Sequence, residues 1–187
     1  MRVIVVTPPD PVVTFAEAKA RLRLGNSEQA DVESMIAAAT EMFDAGTGWL
    51  GRAIGEQVLE LRCDRFTDGD GDPVKLPYPP VAAIVSVKYL DSAGVETTLP
   101  SSDYDLIGEE LWPAHDAVFP TMLGRREALR IRYSAGYDDV PAAIKNAILL
   151  AVGDIYRFRE TLSMTTVDEL PSAASIGNLL ANIRIYE

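Results

Sequence analysis

Residues 26–50, NSEQADVESMIAAATEMFDAGTGWL, place apolar side chains at Val32, Met35, Ile36, Ala39, Met42, Phe43, Gly46 and Trp49. Steps of three and four residues gather these on one stripe of a helix, roughly 100° wide or more. Asp31, Glu33, Ser34, Glu41 and Asp44 fall mostly on the other side. Asn26 followed by Gln29 has the form of a capping box, which satisfies orphan backbone donors and marks a helix start. Such a helix must bury its stripe against another element. The comparable partner is residues 141–160, where Pro141 takes the favoured first-turn position and Ile144, Ile148, Ala151, Ile155 and Phe158 form one face. Leu149, Leu150 and Val152 cover much of the rest, so this second helix is expected to be central. Arg157 and Arg159 suit its C-terminus. The two ends of the chain are therefore expected to close on each other.

Upstream, residues 14–22 read as a short helix opened by a second capping box, Thr14 with Glu17, with Phe15, Ala18 and Leu22 inward. Leu24, Gly25 and Asn26 turn the chain into the main helix. Arg21 and Arg23 are too few for a DNA-reading helix. Residues 1–13 read as an extended arm able to reach a neighbour, because Val3, Ile4, Val5 and Val6 favour strand while Pro8, Pro9 and Pro11 exclude helix. Downstream, residues 161–169 read as a polar, mobile loop. Residues 171–182 read as a last helix with Ile176, Leu179, Leu180 and Ile183 apolar, followed by a tail of mixed character.

Between the helical ends the period changes to two. Gln57, Leu59, Leu61 and Cys63 alternate with Val58, Glu60, Arg62 and Asp64, the pattern of a half-buried strand. Shorter strands are expected at 74–76, 84–90, 95–99, 104–107 and 129–133, the last with Leu129, Ile131 and Tyr133 inward and Arg130 and Arg132 outward. Asp91, Ser92, Ala93 and Gly94 form a hairpin turn. The expected fold is α+β: a helical bundle from residues 1–50 and 134–187, with an antiparallel β region inserted at 51–133.

A chain of 187 residues suits one domain, or a domain with an insert, burying about 70% of its unfolded surface. One cysteine, Cys63, excludes an intrachain disulfide and reads as a small buried hydrophobe. Neither a signal peptide nor a membrane-spanning run is recognisable, so a soluble protein made in the cytosol and not exported is expected. The net charge of −11 argues against sequence-independent nucleic-acid binding, which needs clustered Lys and Arg. Residues 51–139 hold most of the excess, with 9 basic and 16 acidic side chains, against 4 and 7 before and 4 and 5 after.

No catalytic kit is visible. His115 is the single histidine, in a loop-like stretch between Pro113 and Pro120, so no multi-histidine or Cys/His metal site exists. Asp68, Gly69, Asp70, Gly71 and Asp72 resemble the start of a calcium loop, but Pro73 stands at the turning-glycine position and Pro79 where a bidentate glutamate belongs. An acidic hairpin tip is the better reading. No phosphate-binding glycine loop or nucleophile elbow is present, and Glu109 and Glu110, adjacent in sequence, would point apart on a strand. No cofactor, metal or catalytic residue is expected, and a binding or structural role is favoured over an enzyme.

Three pieces in order resemble the longer, strand-bearing branch of the phage head-tail connector proteins, also called adaptors or head completion proteins. VTFAEAKARLRL, with the acidic helix and FDAGTGWLGRAIGEQVLELRCDRF, is similar to that family's opening. LPYPPVAAIVSVKYLDSAGVETTL and DYDLI are similar to its central strands, and IRYSAGYDDVPAAIKNAILLAVGDIY to its closing strand, turn and long helix. The segment 67–72, the segment 112–126 and the C-terminus depart from the pattern.

The resemblance implies a structural virion protein of the neck, assembled in the host cytoplasm: a ring, usually of twelve copies, beneath the portal, joining a DNA-filled head to the tail. The implied partners are the portal protein, neighbouring copies, and a tail or stopper protein, and the resemblance leaves open whether the free chain is a monomer that assembles only on its template. DNA passes through without specific binding, and no membrane is involved. Within that reading, Ile176, Leu179, Leu180, Ile183, Arg184 and Tyr186 are expected to dock on the portal, since an amphipathic segment follows a loop; its alternative is to cap the protein's own core. Asp68, Asp70 and Asp72 are expected to face the channel, where carboxylates let DNA slide. The competing readings are a stopper or tail-terminator ring, or a small ligand-binding domain.

Overall fold

The computed structural model describes residues 1–46, 48–68, 70–158 and 173–185. The fold is α+β, with helices α1 (Phe15–Leu22), α2 (Gln29–Glu41), α3 (Ala142–Phe158) and α4 (Ala173–Leu180). The strands are β1 (Arg2–Thr7), β2 (Gln57–Cys63), β3 (Val74–Lys75), β4 (Val81–Leu90), β5 (Glu96–Leu99), β6 (Tyr104–Ile107), β7 (Glu110–Pro113) and β8 (Leu129–Ala135). They fall into two compact units, a sheet unit of Met1–Pro9 with Glu56–Gly136 and a helical unit of Asp10–Gly55 with Tyr137–Glu187.

In the helical unit the stripe is buried at Val32, Ile36, Ala39 and Phe43. Val32, Ile36 and Ala39 of α2 and Phe43 beyond it share a core with Ile144, Ala147, Ile148, Ala151 and Val152 of α3. The capping box of α1 forms: the Glu17 amide donates to Thr14 Oγ1 (3.3 Å) and the Thr14 amide to Glu17 Oε2 (2.7 Å). That Thr14 amide bond, with the Thr14 hydroxyl donating to the same Oε2 (2.8 Å), holds the Glu17 carboxyl below the usual carboxylate range.

The expected box at Asn26 does not form. Residues Asn26–Glu28 make a 3-10 turn, Glu28 occupies the N-cap of α2 without a side-chain cap, and Asn26 Oδ1 accepts instead from Lys19 Nζ (2.5 Å). The helix also stops at Glu41, well short of residue 50. Glycine costs helix stability and here completes a tight return. A Cβ on Gly48 would lie 1.7 Å from the Asp44 carbonyl oxygen, while Trp49 and Leu50 donate back to Met42 and Phe43 (2.9 and 3.4 Å). Leu50 thereby stays in the core, although Met42 and Trp49 are exposed. On α3, Phe158 is exposed too, at the helix end.

In the sheet unit, five antiparallel strands run in the order β1-β2-β8-β4-β5, and three more in the order β3-β7-β6. The N-terminal residues are not a loose arm. The β-branched run Val3 to Val6 pairs with β2, Val3 opposite Leu61 and Val5 opposite Leu59, so residues 1–9 join the sheet unit and not the helices. β7 gives little strand signal in the sequence, because it begins at the acidic pair 109–110 and ends in Pro113; Leu111 is its buried residue. Leu59, Leu61, Leu129, Ile131, Tyr133 and Val87 make the buried face of the larger sheet. The chain beyond β2 covers that face, with the Phe66 ring edge-on to Tyr89 and the Tyr133 hydroxyl donating to the Pro77 carbonyl (2.7 Å). The expected loop at 161–169, the start of the last helix at 171, Arg159 and Tyr186 lie outside the described residues.

Candidate functional site

The C-terminal segment is seated on its own helical unit. Leu180 is fully buried, and Ile176 and Ile183 pack against the same core, whereas Leu179 is 41% exposed. Three contacts tie down the chain after α4. Arg52 Nε donates to the Ile183 carbonyl (2.5 Å), the Ile185 amide donates to the Leu50 carbonyl (3.0 Å), and the Arg184 guanidinium lies 4.2 Å over the Trp49 ring. The period of three and four residues made 176, 179, 180 and 183 look equivalent. The short turn after Leu180 and the core beneath separate them.

The acidic loop is organised around Asp68, whose Oδ1 accepts from the amides of Asp70 (2.9 Å) and Asp72 (3.0 Å). This is the local side-chain-to-backbone bonding that aspartate offers in turns. Asp70 and Asp72 are exposed. Among the described residues no group of three His, Cys, Asp or Glu side chains is arranged to hold a metal ion. His115 is exposed, with Nδ1 2.9 Å from Asp116.

The solvent side of the five-stranded sheet carries a cluster of charges. Register places Arg2 opposite Arg62, Arg62 opposite Arg130, and Arg130 opposite Lys88, a row of four cations across four strands. One rung along, Glu60 lies opposite Arg132. Glu60 is nearly buried and accepts from Arg132 Nε (2.7 Å) and Arg62 Nε (2.8 Å). Burial alone would raise its carboxyl, but the two arginine hydrogen bonds outweigh that and hold it below the ordinary value. Beside the row, a cleft of about 670 Å³ is lined by Arg2, Arg62, Arg125, Arg126, Arg130 and the carboxylates of Asp64 and Glu127. Asp64 shapes it by accepting from the Glu127 amide (3.0 Å), and Glu127 in turn reaches Arg62 (3.5 Å).

The whole chain has a known fold. A chain from the neck of an empty gene transfer agent (GTA) particle, computed with C6 symmetry, superposes with TM-score 0.73 at 23% identity. The match covers 100% of this chain and 97% of that one. A chain from the neck of the native particle, computed with C12 symmetry, gives 0.69 at 20% identity, and one from the virion of the native particle 0.72 at 23%, with the same coverage. No protein-family model and no curated protein sequence matches.

Against this shared fold, the cationic row is what reading the sequence missed. The outward positions of Arg62, Arg130 and Arg132 follow from alternation within single strands. Their alignment with Arg2 and Lys88 needs the strand order, which joins residues far apart in the chain. Arg125 and Arg126, adjacent and exposed between strands, were the available signal.

Proposed function

We propose that this protein is a structural ring component of the neck of a phage-like particle, acting as the connector between the portal of the head and the tail. The observation that supports this most is the likeness over the full chain to proteins of GTA necks, solved with sixfold and twelvefold symmetry. A part that must surround a passage for DNA has no need of a catalytic centre, and the chain's strong negative charge keeps DNA from adhering. Closed rings are built from two unlike faces of each copy, so modest contacts add up to a stable whole.

In this reading the helical unit is the connector core and the strand region an insert. The C-terminal segment is the portal-facing element: Ile176, Leu180 and Ile183 hold it in place, and Leu179 and Arg184 are presented to the portal. The tail or stopper protein meets the opposite end of the ring.

The test is the light-scattering mass of the chain mixed with the portal protein encoded beside it. A portal complex heavier by a ring of copies is expected. Two separate, folded species would overturn the connector role and leave a stopper or tail-terminator ring. Removal of residues 176–187 should abolish portal association; unchanged association would remove the C-terminal segment from the interface.

A further inference from the structure

The cationic row on the sheet is energetically odd for an isolated acidic protein. Like charges directly opposite on neighbouring strands repel, yet Arg2, Arg62, Arg130 and Lys88 stand in one line, each 28–65% exposed. With Arg132, Arg125 and Arg126 this face gathers seven of the nine basic side chains of the sheet unit. Among the described residues, four carboxylates, Glu60, Glu96, Glu127 and Asp64, touch them or line the cleft, in a unit whose sequence has fourteen. Arg125 and Arg126 have no ion pair among the described residues. The surplus of positive charge on this face therefore leaves a matching surplus of carboxylates on the rest of the unit.

The 68–72 loop is among those carboxylates, and it is anchored on the side of the sheet away from the row. After β2 the chain passes to the buried face, where Phe66 meets Tyr89 and Pro77 meets Tyr133, and Asp68, Asp70 and Asp72 lie on the loop between these two anchors. The sheet unit thus has a positive face and, anchored on its other side, an acidic loop.

We infer that the cationic row and its cleft receive the acidic 68–72 loop of a second copy, so that copies associate head to tail. The inference rests on the proposed ring and names the surfaces that would close it. A heterologous contact between unlike faces is what generates a ring. Arginine forks pair with carboxylates through two parallel hydrogen bonds. A cleft of about 670 Å³ is in the range of small-ligand pockets, which admits a loop tip but not a duplex. Nucleic acid is the less fitting occupant, because Glu60, Glu96 and Glu127 stand among the arginines and the chain as a whole is at −11.

The decisive experiment is charge exchange in ring assembly on the portal, with the full chain. Variant A carries Arg125→Glu and Arg126→Glu, and variant B carries Asp70→Lys and Asp72→Lys; all four positions are exposed, and Asp68 is kept because its carboxylate holds the loop. Each variant alone should need a concentration on the order of tenfold higher or more to assemble, with the wild-type contact weakened by salt. An equal mixture of A and B should assemble like the wild type, because every contact in an alternating ring is again between opposite charges. Wild-type rings whose assembly is unchanged in A or B overturn this contact while the ring reading stands. No ring from the wild type overturns both. A DNA mobility shift by the wild type at physiological salt, lost in A, would assign the face to phosphate instead.

Discussion

The Arg184 guanidinium carbon stands 4.2 Å from the centroid of the Trp49 ring, joining the chain after α4 to the glycine-rich return that ends α2. A cation over an indole face contributes about 0.5–2 kcal/mol, depending on desolvation. Trp49 is 37% exposed, which puts this pair toward the lower end. Trp49→Ala should therefore loosen the end of the chain without unfolding the helical unit. Amide exchange at Ile185, which donates to Leu50, is expected to speed up about fivefold, and unchanged protection would show that the neighbouring backbone bonds suffice.

Leu179 and Leu180 are adjacent and chemically identical, yet one is 41% exposed and the other fully buried. Leu180→Ala should destabilise the helical unit by about 2–5 kcal/mol, whereas Leu179→Ala should stay within about 0.5 kcal/mol. Denaturant midpoints of the two variants measure the difference. Equal losses would mean that Leu180 is not the anchor of the segment.

Glu60 has a definite pH signature. Its folded carboxyl titrates below the ordinary value, so its stabilisation is complete above the unfolded carboxylate range and is lost as pH falls through the lower folded value. Glu60→Gln should cost about 1–3 kcal/mol near neutral pH, discounted toward the low end because Arg132 is 47% exposed. The gap between variant and wild type should close in acid. A difference in melting temperature that is constant from pH 7 to pH 3 would contradict this account.

Cys63 is buried, and burial followed by the nearby Asp64 charge pushes its thiol up to about 12. At pH 8 only about one part in ten thousand would be thiolate, the reactive form. Native protein should resist iodoacetamide at pH 8 for hours and take up one equivalent once denatured. Rapid native labelling would show that the end of β2 opens readily.

What the amino-acid order decides alone here is local. Apolar steps of three and four residues marked α2 and α3 as partners, alternation marked β2 and β8, and Thr14 with Glu17 capped α1, because each depends on neighbours within a few positions. The same kind of local signal misled at Asn26, where a lysine seven residues back captured the capping oxygen, and at residues 42–50, where apolar period continued through a glycine turn. Only the tertiary structure decided that residues 2–7 form an edge strand and not an arm, and that Arg2, Arg62, Lys88 and Arg130 share a row. Strand order and register are set by which chain segments meet across the sheet, and no spacing within any one of them encodes the neighbour it will find.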